Sequence, residues 1–373
     1  MLVGNLRNLY AQAMKFTAVS LASFAREWGY LASFCECQYK LGGNVLKKVS
    51  MQDIATELGI SKMTVSKCFK NSEDISEETK QIILRKADEM GYEYKRRIKY
   101  RVAVLFSEVY FEPNEKFYNG LYRRLQELEW ENNMKFSLFY VSREDERCNM
   151  VNAGVEEYDG IMLLGQFSKK YVLFLMGTGR SVLCLDFRYR GVETDSVVSD
   201  SFQASYNLTS HLIEMGHRRI AFVGNLNYTN SVNDRYLGYY KALLEEGIDL
   251  EAQYRIDDRR EQGILERFLL PEDMPSAFVC NNDHTAYILI KQLKSVGFQV
   301  PREVSVVGFD DVLYSEISDP PITTVHVHRR FMAEQAILLM KRRFQQPDAR
   351  PRTITIDCSI QYRESVAGIS RGA

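Results

Sequence analysis

The sequence predicts an all-α N-terminal domain followed by a larger α/β region of parallel sheets flanked by helices. The first prediction rests on three short helical segments between residues 49 and 91, each preceded by a serine. The second rests on short apolar strands that alternate with amphipathic helices from residue 101 onward. Such alternation is typical of parallel sheets covered by helices on both faces. With 373 residues, the chain is long enough for one small and one large domain.

The helical segments begin after Ser50, Ser61 and Ser76. A serine in this place accepts a hydrogen bond from a free N–H group of the first helical turn. The first helix is predicted to end at Gly59, which tolerates a left-handed backbone. Two helices joined by a tight Gly-Ile-Ser turn are typical of a helix-turn-helix, and we place this domain at residues 47–92.

The second helix has two different faces. Val65, Cys68 and Phe69 form an apolar stripe at spacings i, i+3 and i+4, which predicts a core contact. The opposite face carries lysines and short polar side chains, and a DNA major groove admits one helix. The alternative is an ordinary three-helix bundle with a solvated basic face. The candidate DNA contacts are Ser61, Lys62, Met63, Thr64, Ser66, Lys67, Lys70 and Ser76.

The distribution of charge favours DNA binding by this end of the chain. The net charge of the whole chain is −1, yet residues 47–101 contain 13 Lys and Arg against 9 Asp and Glu. After the third helix, residues 93–101 form a short basic linker. Lys95, Arg96 and Arg97 are predicted to contact phosphates there, and a solvated connector is the alternative.

The N-terminal domain resembles the DNA-binding signature of the LacI/GalR (lac-repressor) family of bacterial transcription regulators. The resemblance is carried by Asp53-Ile54-Ala55, Gly59-Ile60-Ser61 and Thr64-Val65-Ser66, and later by Asp234-Arg235-Tyr236 and Gly308-Phe309-Asp310-Asp311. It implies a two-lobed periplasmic-binding-protein-like domain with a cleft over residues 102–366. Crossovers are then expected near Gly216, His328 and Arg350. They place lobe 1 at about 102–216 and 329–350, lobe 2 at about 217–328 and 351–366, and a tail at 367–373.

The sequence departs from the family pattern at two places. Relatives usually have a hinge helix that enters the minor groove, but here the sequence runs almost directly from Tyr92 into a strand at Val102. We therefore expect binding to depend on the helix-turn-helix and the basic linker. Residues 1–46 fit no part of the family pattern, and we interpret them as an over-extended start. A poorly ordered extra arm is the second interpretation, and export by the apolar run at 14–25 would be useless to a DNA-binding protein.

Polar residues that follow predicted strands are candidates for the ligand site. In parallel α/β folds, ligands bind at the carboxyl ends of strands. The resemblance implies that Arg235 and Asp310 reach a ligand, while structural roles such as ion pairs, helix caps and turn anchors are the alternative. Asp258-Arg259 could line the cleft from the second lobe, but loop charge is the favoured interpretation. The full set of candidate effector contacts is Phe117, Tyr118, Asp200, Arg235, Asn282, Asp283 and Asp310.

Other functional classes lack support in the sequence. There is no Gly-rich phosphate loop, no His-Glu-x-x-His and no Gly-x-Ser-x-Gly, so we predict a protein that is not an enzyme. We also expect no metal and no cofactor. The seven cysteines are scattered and odd in number, which favours a reducing cytoplasm. The sequence has no run of 18 apolar residues, so it predicts no membrane-spanning helix.

These observations predict a sequence-specific DNA-binding transcriptional regulator, acting as a repressor. The family resemblance implies that a small molecule, most often a sugar, binds the cleft and modulates the affinity for operator DNA. A homodimer would present two recognition helices to a roughly palindromic operator. The alternative is a sugar-binding protein of a transport system, which shares the two-lobed fold but has no use for a helix-turn-helix.

Overall fold

The computed structural model describes residues 49–70, 72, 74–92, 98–110, 115–151, 154–260 and 263–369. The chain divides into two compact units, one ending at Lys95 and the other beginning at Arg96. Residues 1–46 and the linker residues Lys95, Arg96 and Arg97 lie outside the described residues. The interpretations given above for these segments therefore stay predictions.

The N-terminal unit is the predicted three-helix domain. Its helices are α1 (Met51–Leu58), α2 (Lys62–Phe69) and α3 (Glu77–Glu89). Ser50 and Asp53 form a reciprocal capping box at the start of α1, and Gly59 ends the helix with a left-handed φ of 64°. A small core joins the three helices, built from Ile54, Ala55, Val65, Cys68, Ile83 and Ala87. Because α2 contributes its apolar stripe to this core, its cationic face stays outside.

The larger unit alternates strands with helices. Its strands are β1 (Tyr100–Ser107), β2 (Met134–Val141), β3 (Gly160–Leu164), β4 (Ser181–Leu185), β5 (Asp195–Ser199), β6 (Ile220–Val223), β7 (Arg255–Ile256), β8 (Arg259–Arg260), β9 (Gly263–Ile264), β10 (Ala277–Cys280), β11 (Ser305–Val307), β12 (Thr324–Val327), β13 (Thr353–Ile356) and β14 (Cys358–Gln361). Its helices are α4 (Glu115–Glu127), α5 (Glu129–Asn132), α6 (Arg143–Cys148), α7 (Lys169–Met176), α8 (Ser201–Glu214), α9 (Asn230–Glu245), α10 (Asp283–Ser295), α11 (Leu313–Ile317) and α12 (Arg329–Gln345).

The strands assemble into two main parallel sheets. One has six strands in the order β13-β5-β4-β3-β1-β2, and the other has four strands in the order β11-β10-β6-β7. In addition, β12 pairs antiparallel with β14, and β8 pairs antiparallel with β9. The parallel order confirms the predicted fold class and brings the carboxyl ends of strands in each sheet to one edge.

The chain crosses between the two main sheets three times. After β5 it enters α8, which packs on α9 beside the four-stranded sheet, and after β12 it enters α12, which packs on α4 and β4. After β13, which pairs with β5, it enters β14, which pairs with β12. The first crossing therefore lies at Asp200 and the third at Asp357, and the predicted positions at Gly216 and Arg350 are wrong. The error arose because β5 and β13 are short and partly polar, and the sequence pattern did not predict them.

The segment expected to be a tail from residue 367 is partly packed. The backbone N–H of Ala367 donates to Ser305 Oγ at 3.0 Å, and that of Ile369 donates to the Met215 carbonyl at 2.8 Å. Within the described ranges, no helix combines the length and apolar character needed to cross a membrane.

Candidate nucleic-acid interface and ligand cleft

The outer face of α2 carries the predicted DNA contacts. Lys62 and Lys70 are exposed, and Met63 retains 70% of its accessible surface. Thr64, Ser66 and Lys67 are half-buried at the edge of the face, while Val65 and Cys68 are fully buried beneath it. The face is thus convex, polar and one helix wide, which are the properties a helix needs to enter a major groove.

Two predicted contacts on this unit also have a structural role. Ser61 Oγ accepts from the backbone N–H of Thr64 at 3.0 Å and lies 2.8 Å from the Thr64 hydroxyl. Ser76 Oγ accepts from the Thr79 backbone N–H at 3.3 Å, so both serines cap helices. Lys67 Nζ lies 2.8 Å from Asp74 Oδ2, and this lysine lowers the pKa of Asp74. Its charge is therefore shared with a neighbouring carboxylate.

The centre of the ligand cleft is a buried ion pair between Arg235 and Asp310. Arg235 Nη2 lies 3.1 Å from Asp310 Oδ1, Nη1 donates to the Asn281 carbonyl, and the guanidinium lies 3.7 Å above the ring of Phe309. Burial raises the pKa of Asp310, although the Arg235 charge opposes the shift. The two residues come from α9 and from the loop after β11. The predicted juxtaposition of Arg235 and Asp310 is therefore present.

A second carboxyl group, which the sequence analysis missed, faces the same cleft. Asp186 directly follows β4 and has a left-handed φ of 76°. Its Oδ2 accepts from the Tyr118 hydroxyl at 3.0 Å, and its Oδ1 has no hydrogen-bond partner among the described residues. Burial raises the pKa of Asp186 to about 7, with Asp310 adding to the shift and Arg235 opposing it. The group is therefore poised to change its charge near neutrality.

Aromatic side chains form one wall of the cleft. Phe117 and Tyr118 are buried at the start of α4, and Tyr228 lies across from them. Both predicted rings line the cavity, and both also pack in the core of the six-stranded sheet. The two rings therefore contribute both to the cavity wall and to the core.

The Asp258-Arg259 pair is the clearest correction to the sequence analysis. It was interpreted as loop charge, but Asp258 is fully buried and Arg259 retains only 3% of its surface. Arg259 Nε and Nη2 both donate to the Asp258 carboxylate, at distances between 2.6 and 3.0 Å. Arg259 also lines the cleft beside Arg235. β7, which precedes the pair, and β8, which contains Arg259, are only two residues long and too short to produce a periodic signal.

Asn282 and Asp283, both predicted effector contacts, also make structural hydrogen bonds. Asn282 Oδ1 caps α10 by accepting from the Thr285 backbone N–H at 2.8 Å, although Asn282 also lines the cleft. Asp283 is fully buried away from the cavity and accepts from the Val312 N–H at 2.8 Å and from the Thr324 hydroxyl. A Cβ at Gly308 would lie 2.2 Å from Asp283 Oδ1, so this glycine makes room for the carboxylate. Asp283 therefore ties α10 to the loop after β11 and to β12.

The cleft around Arg235 is narrow, with a volume of about 20 Å³. A neighbouring cavity of about 270 Å³ shares Asp186 and Ser231 with it and is lined by Asp200 and Arg188. Asp200 also caps α8, because its Oδ1 accepts from the Gln203 N–H at 3.0 Å. The predicted residue Asp200 thus lines the wider cavity, whereas the ion pair lies at the narrow end.

The structure places most of the predicted cleft residues together. It adds Asn281 and Asp186, which were missed, and Arg259, for which loop charge was the favoured interpretation. Asn281, Asp258 and Asp186 follow the ends of β10, β7 and β4, so placement after a strand was a usable signal. Among the described residues, no group of three or more His, Cys, Asp or Glu side chains is arranged to hold a metal ion.

Comparisons with known proteins agree with this two-part arrangement. Residues 50–94 match the model of bacterial regulatory proteins of the lacI family, and residues 209–366 match a periplasmic binding protein-like domain. The HTH-type transcriptional repressor PurR of Mannheimia succiniciproducens is 25% identical over 334 residues, covering 86% of this chain and 99% of the relative. PurR of Actinobacillus pleuropneumoniae serotype 3 is 24% identical over 335 residues, covering 86% of this chain and 99% of the relative.

Solved structures show the same fold. A transcriptional regulator CelR in complex with cellobiose has 26% identity and a TM-score of 0.63, over 85% of this chain and all of that one. The lac repressor dimer bound to operator and the anti-inducer ONPF has 18% identity and a TM-score of 0.60, over 86% of this chain and all of that one.

The fold and its two sites define a transcription regulator that joins a DNA-binding domain to a ligand-binding domain. Both domains match family models, and the PurR relative aligns over 86% of this chain and 99% of its own length. Residues 50–94 form a lacI-family DNA-binding domain, and the chain is a DNA-binding transcriptional repressor with a periplasmic-binding-protein-like ligand-binding domain. A transport-protein role is not favoured, because residues 50–94 form the family's DNA-binding domain.

Proposed function

We propose that α2 contacts operator DNA and that a small molecule bound around Arg235 and Asp310 controls the affinity for that DNA. The proposal that a small molecule binds here rests on the buried Arg235–Asp310 pair. Both side chains retain only 7% of their surface, and they lie in a cavity with unpaired polar atoms. Burying charges is costly, so the presence of this pair in a cavity supports a binding role.

For the DNA, we assign direct contacts to Lys62, Met63, Ser66 and Lys67 on α2. Lys62 and Lys67 suit phosphates or guanine acceptors, while Met63 offers an apolar contact to a thymine methyl group. Lys70 and the basic residues Lys95, Arg96 and Arg97 are assigned to phosphates. Thr64, Ser61 and Ser76 orient the helix ends that meet the DNA backbone.

For the effector, a polyhydroxylated molecule such as a sugar suits the groups available. Hydroxyl groups donate to carboxylates and accept from guanidinium groups, and the rings of Tyr118 and Tyr228 supply an apolar wall. The cellobiose complex of CelR supports this class of ligand. A purine is the second class, supported by the similarity to PurR repressors.

We propose that the protein acts as a homodimer in the cytoplasm. Two copies of α2 read a palindromic operator better than one, because a domain of this size contacts few base pairs. The short helix α11 leaves Leu313 and Ile317 about half exposed, at 50% and 54%, although α11 packs on α10. These apolar side chains are candidates for the dimer contact.

The test of this function is binding of a selected operator sequence by the full chain, measured by fluorescence anisotropy across a salt series. Affinity should fall steeply as salt rises and disappear when residues 1–101 are deleted. A sugar and nucleobase panel should then include a compound that raises the melting temperature and changes operator affinity. Absence of DNA binding at low salt would overturn the proposal.

A further inference from the structure

Arg259 lies in the cleft with one side of its guanidinium group already paired. The residue lies on the short strand β8, and its guanidinium carbon lies 4.0 Å from the ring centroid of Tyr228. Nε and Nη2 point to the Asp258 carboxylate, which leaves Nη1 on the other side. The stacking and the two-pronged pair together fix the plane of the guanidinium.

Several neighbouring groups donate hydrogen bonds to the Asp258 carboxylate and stabilise its negative charge. The backbone N–H of Asn225 donates to Oδ1 at 2.9 Å, and Asn281 Nδ2 and the Thr285 hydroxyl donate to Oδ2 at 2.6 and 3.0 Å. Burial would raise the pKa of Asp258, but Arg259 and these hydrogen bonds hold it below its usual range. The carboxylate thus acts as a fixed support that orients Arg259 rather than consuming all of its donors.

The remaining donor, Arg259 Nη1, is buried and has no hydrogen-bond partner among the described residues. Burying a donor of a charged group without a hydrogen-bond partner lowers the stability of the fold. Arg259 lines the same cavity as Arg235 and Asp310. An acceptor on a bound molecule would satisfy this donor without displacing any existing contact.

We propose that the effector carries an acidic group, a carboxylate or a phosphate, and that Arg259 Nη1 binds one of its oxygens. The inference rests on the proposed effector role of the cleft and narrows the class of ligand. A fixed guanidinium group recognises such oxygens strongly, because the hydrogen bond is charge-assisted. Surface lysines would offer a charge without this geometry.

The carboxyl groups in the cleft are compatible with an anionic ligand. Asp310 is paired with Arg235, and Asp258 is paired with Arg259. Asp186 faces Tyr118, Arg235 and Asp310, and it is partly protonated at neutral pH because burial raises its pKa to about 7. In its neutral form it repels no anion and can donate a hydrogen bond to it.

The experiment uses the full chain and three sets of ligands, based on glucose, galactose and ribose. Each set contains the neutral aldose, its aldonic acid and its phosphate ester. Calorimetry should show that in any set that binds, the acid or the phosphate binds at least about tenfold more tightly than the aldose. The two acidic members distinguish the carboxylate from the phosphate. Arg259→Gln should abolish this preference, because it should lower the affinity for the acidic members far more than the affinity for the neutral member.

Two further variants keep the result interpretable. Arg260→Gln, an exposed neighbour on the same strand, should bind like the wild type. The double variant Asp258→Asn/Arg259→Gln removes both buried charges, so it should fold even if Arg259→Gln does not, and it should also lose the preference. Tighter binding of neutral sugars, or an unchanged preference in the double variant, would overturn the inference but not the effector role. Failure of every set to bind would overturn the inference of an acidic sugar, and the sugar and nucleobase panel described above tests the effector role separately.

Discussion

The two sites of this protein hold their charges in opposite ways. On α2, Lys62 and Lys70 lie in solvent, and Lys67 shares its charge with Asp74 at a surface ion pair. In the cleft, Arg235, Arg259, Asp258, Asp310 and Asp186 are all buried. The first arrangement costs little to form and attracts a large polyanion from a distance, whereas the second is costly to desolvate and suits a small ligand held at contact distance.

This difference predicts where a substitution damages the fold and where it damages only binding. Removing an exposed cation leaves nothing uncompensated, since water solvates the partner that remains. Removing one member of a buried pair leaves the other as an isolated charge. The following predictions test this contrast, from the largest expected effect to the smallest.

Arg235→Gln should be the most damaging of these changes. It leaves the buried Asp310 carboxylate without its partner, and breaking such a buried pair typically costs about 3–5 kcal/mol. Urea denaturation should therefore show a large loss in the free energy of unfolding, together with loss of effector binding.

The matched control is Arg219→Gln, which breaks an exposed pair with Asp273 whose two side chains are 54% and 56% exposed. Its cost should stay below about 1 kcal/mol. Equal costs for the two variants would contradict the contrast between the sites. The double variant Arg235→Gln/Asp310→Asn should recover stability without recovering binding.

Asp186→Asn should change how the stability of the larger unit depends on pH. The pKa of Asp186 rises from 3.8 to about 7 on folding, so between these values the native state holds a proton that the unfolded chain releases. Stability is therefore greatest below this range and is lost as pH rises toward 7, by at most on the order of 4 kcal/mol.

The measurement is urea denaturation of wild type and Asp186→Asn at pH 5 and pH 8. The wild type should lose more stability than the variant between these values, because asparagine does not titrate. Asp273→Asn, an exposed carboxylate, serves as the control and should follow the wild type. Identical pH dependence in the wild type and Asp186→Asn would mean that Asp186 ionises normally in the folded protein.

Lys62→Ala should weaken operator binding without changing effector binding or stability. Loss of one phosphate contact should reduce the salt dependence of log affinity by about 1. Lys67→Ala should have a smaller effect, because Asp74 already offsets part of its charge. Anisotropy across a salt series measures both, and a larger effect of Lys67→Ala would reverse the assignment. Loss of effector binding in either variant would point to misfolding.

The two sites also differed in how well the sequence predicted them. The face of α2 follows from the spacing of Val65 and Cys68 along a single helix, so local pattern sufficed. The cleft gathers side chains from segments far apart in the chain, and Arg235 and Asp310 were placed there only through the family resemblance. Asp186 was missed although it follows β4, and Arg259 was misjudged because β7 and β8 have no periodicity. Burial, which turns a charged loop into a binding group, cannot be read from residue type.

The three crossings between the two main sheets limit how the cleft can respond to its ligand. They are joined to one another, because the Asp200 N–H donates to the Ile356 carbonyl at 2.8 Å and β12 pairs with β14. A single connecting segment would let the sheets twist in any direction. Three linked segments restrict relative motion of the sheets more than one segment would and favour a hinge closure. We therefore expect a ligand to act mainly through the angle between the two sheets, which is a single variable.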